Sequence, residues 1–211
     1  MSDYNRAWLR GTPHTTILTD DMAADAAFIS LANQLLVAMP GMADPNFGGA
    51  VVFLAEHTSK GALGLVVNRP TDITMATLFE RIDLQLDREP LAQTPVLYGG
   101  PVQSDRGFVL HQPLGDWSST VPVGDDLGLT SSKDVLESVA RGEGPERLLV
   151  TLGYAGWGPG QLEQEIGHNA WLTLPASAEL LFDVPLEQRF GHAFRSLGID
   201  PALLSSAAGH A

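Results

Sequence analysis

Apolar residues in this chain come in short runs cut by Gly, Pro and polar clusters, and the spacing of the runs predicts the elements. The first core segment is Leu35-Leu36-Val37-Ala38-Met39, ended by Pro40-Gly41. Two further runs, residues 50–54 and 62–67, flank the polar stretch Glu56-His57-Thr58-Ser59-Lys60-Gly61 and predict a hairpin whose loop is residues 56–61. Asn68-Arg69-Pro70 closes its second strand, because proline cannot continue a ladder. Met75, Leu78, Phe79 and Ile82 fall at helical spacing. Short strands are expected next at Val96-Leu97-Tyr98, Phe108-Val109-Leu110 and 127–129.

The clearest helix carries Val135, Leu136, Val139 and Ala140 on one face. Ser131 or Ser132 is expected to cap it, and Gly142 to stop it. A buried strand at 148–152, a Gly-rich loop at Gly153–Gly160, a short helix at 161–166, a strand at 169–174 and a helix at 186–197 complete the order. That order is neither a strict strand–helix alternation nor all-β, and it predicts a single α+β domain on a mixed sheet. Residues 1–30 are expected to be an N-terminal extension, with a short helix over 22–27, ahead of a domain at 31–211.

Composition narrows the function. With 44% hydrophobic and 18% charged residues in 211, the chain has ample material for one continuous core. It contains no cysteine, which removes disulfides, thiolate metal sites and cysteine nucleophiles together. The formal net charge is -13, and the ten arginines are scattered, mostly among acids, as in Glu80-Arg81-Ile82-Asp83. No concentrated basic face emerges, so direct nucleic-acid binding is not expected. No apolar run approaches the ~20 residues of a membrane span, and Asp20, Asp21 and Asp25 interrupt the stretch after Arg6 and Arg10. A cytoplasmic protein without membrane contact is the expectation.

Candidate chemistry is sparse. The Gly153–Gly160 segment holds four glycines, Pro159, Tyr154 and Trp157, and it precedes a helix. Such a loop can bring backbone N–H groups close to an anion, but Glu163 and Glu165 behind it would repel phosphate, and a tight strand-to-helix turn explains it better. Arg69 can present a bidentate fork to an anion with Asn68 adding an amide, or it can pair with one of the many acids, Glu163 among them. The histidines form no ligand pair of helical spacing, so neither a metal nor any cofactor is expected. Asp44-Pro45-Asn46-Phe47 reads as a turn in which Asp44 bonds its own backbone. The ligand-binding candidates are therefore His57, Asn68, Arg69, Gly156, Trp157, Gln161 and Glu163, with no catalytic set defined.

Several of these segments, taken in order, resemble the YqgE/AlgH family. They are Met39-Pro40, Asp44-Pro45-x-Phe47, Glu56-His57, Gly61-Ala62-x-Gly64, Asn68-Arg69-Pro70, Gly99-Gly100-Pro101-Val102 and the run Asp105 to His111. Gly153-Tyr154-Ala155-Gly156-Trp157, Gly160 to Ile166, Asn169-x-Trp171 and the terminal Gly209-His210-Ala211 complete the set. The resemblance implies a bifurcated, partly barrel-like sheet surrounded by helices. It also implies kinship with proteins that are largely uncharacterised, some of them called transcriptional regulators. It brings no catalytic residues. The favoured expectation is a non-enzymatic regulatory or binding protein acting through a protein partner or a small-molecule ligand. The alternative is an enzyme acting on a small anionic metabolite at a cleft lined by Arg69 and the Gly153–Gly160 loop.

Overall fold

The chain folds around a hairpin of β-branched and leucine-rich strands, β2 (Val51–Thr58) and β3 (Gly61–Val66), in a computed structural model that describes residues 28–199. The turn between them is only Ser59-Lys60, so the expected loop at 56–61 is mostly strand, with Glu56 and His57 in register opposite Leu63 and Ala62. The remaining strands are β1 (Gln34–Ala38), β4 (Pro70–Thr74), β5 (Pro95–Tyr98), β6 (Val102–Gln112), β7 (Thr120–Val123), β8 (Leu127–Thr130), β9 (Arg147–Trp157) and β10 (Trp171–Pro175). They form one ten-stranded sheet along the path β10-β1-β2-β3-β9-β6-β8-β7, with β4 and β5 off that path.

Strand β9 is where the sheet divides. One of its edges pairs antiparallel with β6 along most of its length. The other is shared: Thr151 and Leu152 pair parallel with β5, and Ala155, Gly156 and Trp157 pair antiparallel with β3. The Gly153–Gly160 segment is therefore strand through Trp157 and turn only beyond it, which corrects the loop expected there. The reason lies in the glycines. Gly153 has a φ of +75°, and the β6–β9 register shifts there between Val102 and Gly107. A Cβ on Gly153 would overlap the Gly100 carbonyl oxygen, and one on Gly99 would overlap that of Gly153. Backbones approach at the fork more closely than any side chain permits.

The sheet curls. Leu35 and Val37 of β1, Phe53 of β2, Leu110 of β6, Leu129 of β8 and Leu174 of β10 join one core cluster, closed by Phe194 of a C-terminal helix. Alternate residues point the other way, in keeping with the two-residue period of a strand. Val109 and Val150 meet Met75, Phe79, Val135 and Leu136 in a second cluster, and Leu36, Val52 and Leu54 meet Trp157, Leu162 and Trp171 in a third. The architecture is α+β, a mixed, bifurcated, partly barrel-like sheet with helices around it.

The α-helices among the described residues are α1 (Met75–Arg81), α2 (Asp134–Ala140), α3 (Gln161–Gly167) and α4 (Leu186–Ser196), beside a 3-10 turn at Leu91–Gln93 and a π-helical turn at Glu179–Asp183. Thr74 caps α1 by accepting the Thr77 N–H. In α2 neither serine is the cap: the capping position is Lys133 and makes no side-chain cap bond. Asp134 takes over, accepting from Val135 N–H and the Ser132 hydroxyl on one oxygen and from Ser118 on the other. Burial works to raise its pKa, but these bonds favour the carboxylate and leave it lowered. Strand β7 carried too little pattern to be predicted, since Val121-Pro122-Val123 is short and holds a proline. The short helix expected at 22–27 lies outside the described residues, as does the terminal Gly209-His210-Ala211.

Candidate functional site

The site is built around one turn. After Met39 the chain leaves β1, and Asp44 folds it back: its Oδ1 accepts the Asn46 N–H at 2.7 Å, and its carbonyl accepts from Phe47 and Gly48. Such side-chain-to-backbone bonding is the expected behaviour of Asp in a turn. Asn68 and Arg69, just past the end of β3, then hold this turn. Asn68 Oδ1 accepts the Val51 N–H at 2.8 Å, and its amide donates to the Gly49 carbonyl at 2.9 Å. The Arg69 guanidinium donates to the Pro45 carbonyl at 2.9 Å and the Gly48 carbonyl at 2.6 Å. From β5, the Tyr98 hydroxyl donates to Asn46 Oδ1 at 2.9 Å. Burial pushes the Tyr98 phenol up, the Arg69 charge opposes that, and Asp44 adds to it. The phenol is thus a neutral donor at neutral pH.

The same turn carries Phe47 into an aromatic cluster. Its ring lies 6.1 Å from Trp157 at an interplanar angle of 25° and 5.5 Å from Trp171 at 73°, and the two indoles meet edge to face at 6.1 Å. Both indole N–H groups donate to Glu165 Oε2, at 2.9 and 2.8 Å, while Gln161 donates to Oε1. The side-chain Oε1 of Gln161 in turn accepts the Gly158 N–H. Room for Trp157 comes from the opposite strand: a Cβ on Gly61 would overlap the Trp157 carbonyl, and one on Gly64 would stand 3.3 Å from its ring. Gly156 lies between these packed positions on the exposed side of β9, opposite Leu63.

His57 belongs to a separate group at the far end of β2. It is 4% exposed. Its Nδ1 accepts the Leu31 N–H at 2.9 Å, which leaves Nε2 to carry the proton and donate to Glu163 at 3.1 Å. Phe28 stands 4.8 Å from the ring. Both ring nitrogens are occupied, so this imidazole has no lone pair free to take a proton from a substrate. Glu163 pairs with His57, and Arg69 with carbonyls, so a clamp between Arg69 and Glu163 is absent.

The sequence candidates thus fall into two places. Asn68, Arg69, Trp157 and, through Glu165, Gln161 all brace the turn at 42–49 or its aromatic anchor; His57 and Glu163 tie α3 and the lead-in at 28–31 to β2. Sequence reasoning missed Tyr98, Asn46, Phe47, Glu165 and Trp171 as members. Phe47 and Trp171 were visible in motifs, but only packing reveals that they touch. Among the described residues no group of three or more His, Asp or Glu side chains is placed to hold a metal ion, and no helix is long and apolar enough to cross a membrane.

A family model described as AlgH-like matches residues 35–202. A UPF0301 protein of Ralstonia nicotianae is 62% identical over 190 residues, spanning 90% of this chain and 100% of its own. One from Bordetella petrii is 58% identical over 192 residues, spanning 91% and 95%. Among solved structures, the solution structure of the AlgH protein from Pseudomonas aeruginosa is similar at 44% identity and a TM-score of 0.70, covering 91% of this chain and all of that one. A Corynebacterium diphtheriae protein shares the fold at 20% identity and a TM-score of 0.66, over 84% and 93% of the two chains.

Proposed function

Because the chain belongs to the AlgH-like family and its motif residues grip a turn, we propose that it is a non-enzymatic binding protein whose recognition element is the turn at 42–49. It acts through a protein partner or a small ligand, and any regulatory role runs through that contact. The observation that carries the reading is the Arg69 guanidinium, fixed on the carbonyls of Pro45 and Gly48. Asn68 with Arg69, Tyr98 from β5 and Trp157 from β9 brace a stretch whose residues Ala43, Asp44 and Pro45 stay exposed. A rigidly held exposed loop binds with little ordering cost, which is the logic of a preorganised recognition surface.

The enzyme reading loses support because His57, its natural base, has both nitrogens engaged. Direct contact with nucleic acid is disfavoured by 25 acidic against 12 basic residues. A cytoplasmic location is part of the same proposal. The test is a defined library of small anionic metabolites, followed on one sample by ligand-detected NMR for binding and mass spectrometry for turnover. Binding without turnover, weakened by Arg69→Gln, is expected. Turnover that disappears in Arg69→Gln while the fold persists would establish the enzyme instead.

A further inference from the structure

Resting on that reading of the turn, we propose that the outward edge of the Arg69 guanidinium, together with the side-chain amide of Asn46, forms a subsite for a single carboxylate.

Arg69 has two backbone carbonyls and no carboxylate as hydrogen-bond or ion-pair partners among the described residues. A guanidinium has five N–H donors in one plane, and two are used here. The bond to Gly48 lies on the partly buried side and the bond to Pro45 on the exposed side. Those two anchors fix the plane without neutralising it, leaving a fixed cation with spare donors at the surface of a chain whose formal charge is -13. Planar, bidentate recognition of a carboxylate is what this group does best.

Asn46 supplies the second half. Its side-chain oxygen accepts the Tyr98 hydroxyl and its backbone N–H is held by Asp44, which fixes the amide and leaves its NH2 without a hydrogen-bond partner among the described residues. Asn46 directly follows Pro45, whose carbonyl touches Arg69, so amide and guanidinium flank the same stretch of the turn. Asp44 sets the selectivity. Its charge acts on Tyr98 alongside that of Arg69, and a nearby carboxylate discriminates against a doubly charged phosphate more than against a monoanion.

The carboxylate can come from a free small acid or from the C-terminus of a polypeptide, and the probes separate them. In 15N–1H spectra of the full chain, the Arg69 Nε–H and the Asn46 side-chain NH2 are followed during titration with acetate. The parallel probes are inorganic phosphate and an N-acetylated dipeptide with a free or an amidated C-terminus. Saturable shifts at those two groups with acetate, at Kd on the order of 1–10 mM, are expected. Binding to the free-acid dipeptide roughly tenfold tighter than to acetate identifies a chain terminus, and equal binding a small acid.

Asn46→Asp keeps the acceptor for Tyr98 and adds a like charge, and it should weaken acetate by roughly tenfold or more. That comparison stands even where Arg69→Gln fails to fold. Phosphate binding as tightly as acetate, or no saturable shift up to about 100 mM acetate, would overturn the subsite. Amide exchange of residues 44–48 in the unliganded protein keeps the two ideas apart. Protected amides without acetate binding defeat the subsite alone, whereas unprotected amides defeat the reading of the turn as a rigid element.

Discussion

His111, fully buried on β6, illustrates how one residue can tie stability to pH. Its Nδ1–H donates to the Pro113 carbonyl at 2.9 Å, so Nε2 must accept, and the Thr130 hydroxyl stands 2.8 Å away to supply that bond. Thr120, opposite Thr130 in the ladder, donates onward at 2.6 Å. Burial pushes the His111 pKa below its ordinary value of 6.5, and the bond to Pro113 opposes this only in part. With the folded value below the unfolded one, the unfolded chain binds the proton more readily. The contribution of His111 is therefore fully present above about pH 6.5 and is lost as the pH falls toward the folded pKa. Urea unfolding at pH 7 and pH 5 should show a steeper acid loss for the wild type than for His111→Gln, which starts less stable but titrates more flatly. Parallel pH profiles for the two proteins would rule this account out.

Among the elements, α3 forms where the sequence places a short helix, but its apolar pattern does not account for what holds it. It is seven residues long, Leu162 is its one fully buried apolar side chain, and the N-capping Gly160 offers no side-chain bond. Polar contacts hold it: Glu165 to two indoles and Gln161, and Glu163 to His57. The two carboxylates are not equivalent. Glu165→Ala strands two indole N–H groups on nearly buried tryptophans and should cost about 2–4 kcal/mol, with a shift in tryptophan fluorescence. Glu163 is 44% exposed at its side chain, so water can replace it beside the buried His57 N–H, and Glu163→Ala should cost about 1 kcal/mol. Equal losses in chemical denaturation would mean that the anchor has been assigned to the wrong residue. In the sequence, Glu165 stood out only as a charge that would repel phosphate. Its partners Trp157 and Trp171 lie on two different strands, so nothing in local spacing connects them to it.

For the whole molecule, charge and curl are the governing features. An acidic surface opposes counterion release from a nucleic acid, so titration of labelled promoter DNA near physiological salt should show no sequence-specific binding; sub-micromolar, salt-sensitive, sequence-selective binding would reverse that expectation. The curl brings β8 and β10, near opposite ends of the strand path, into one core, and the fork at β9 lets two strands share one edge. Among the described residues, edges remain at β7, β4 and β10, and each of these strands contains a proline, at 122, 70 and 175, which weakens them as templates for another strand.

Features that depend on neighbours along the chain could be read from the sequence alone. The β2–β3 hairpin, α1 to α4 and the Asp44 turn were all legible, because periodicity and turn chemistry are local. The remainder was set by tertiary packing. The Gly153–Trp157 segment has the composition of a loop and is a strand, because Gly99, Gly100 and Gly153 exclude side chains where backbones cross. Arg69 and Glu163, natural partners by charge, are held apart because carbonyls of the turn and His57 reach them first. A contact between residues twenty or a hundred positions apart depends on where the sheet forks and how far it curls, and no short window of sequence contains that information.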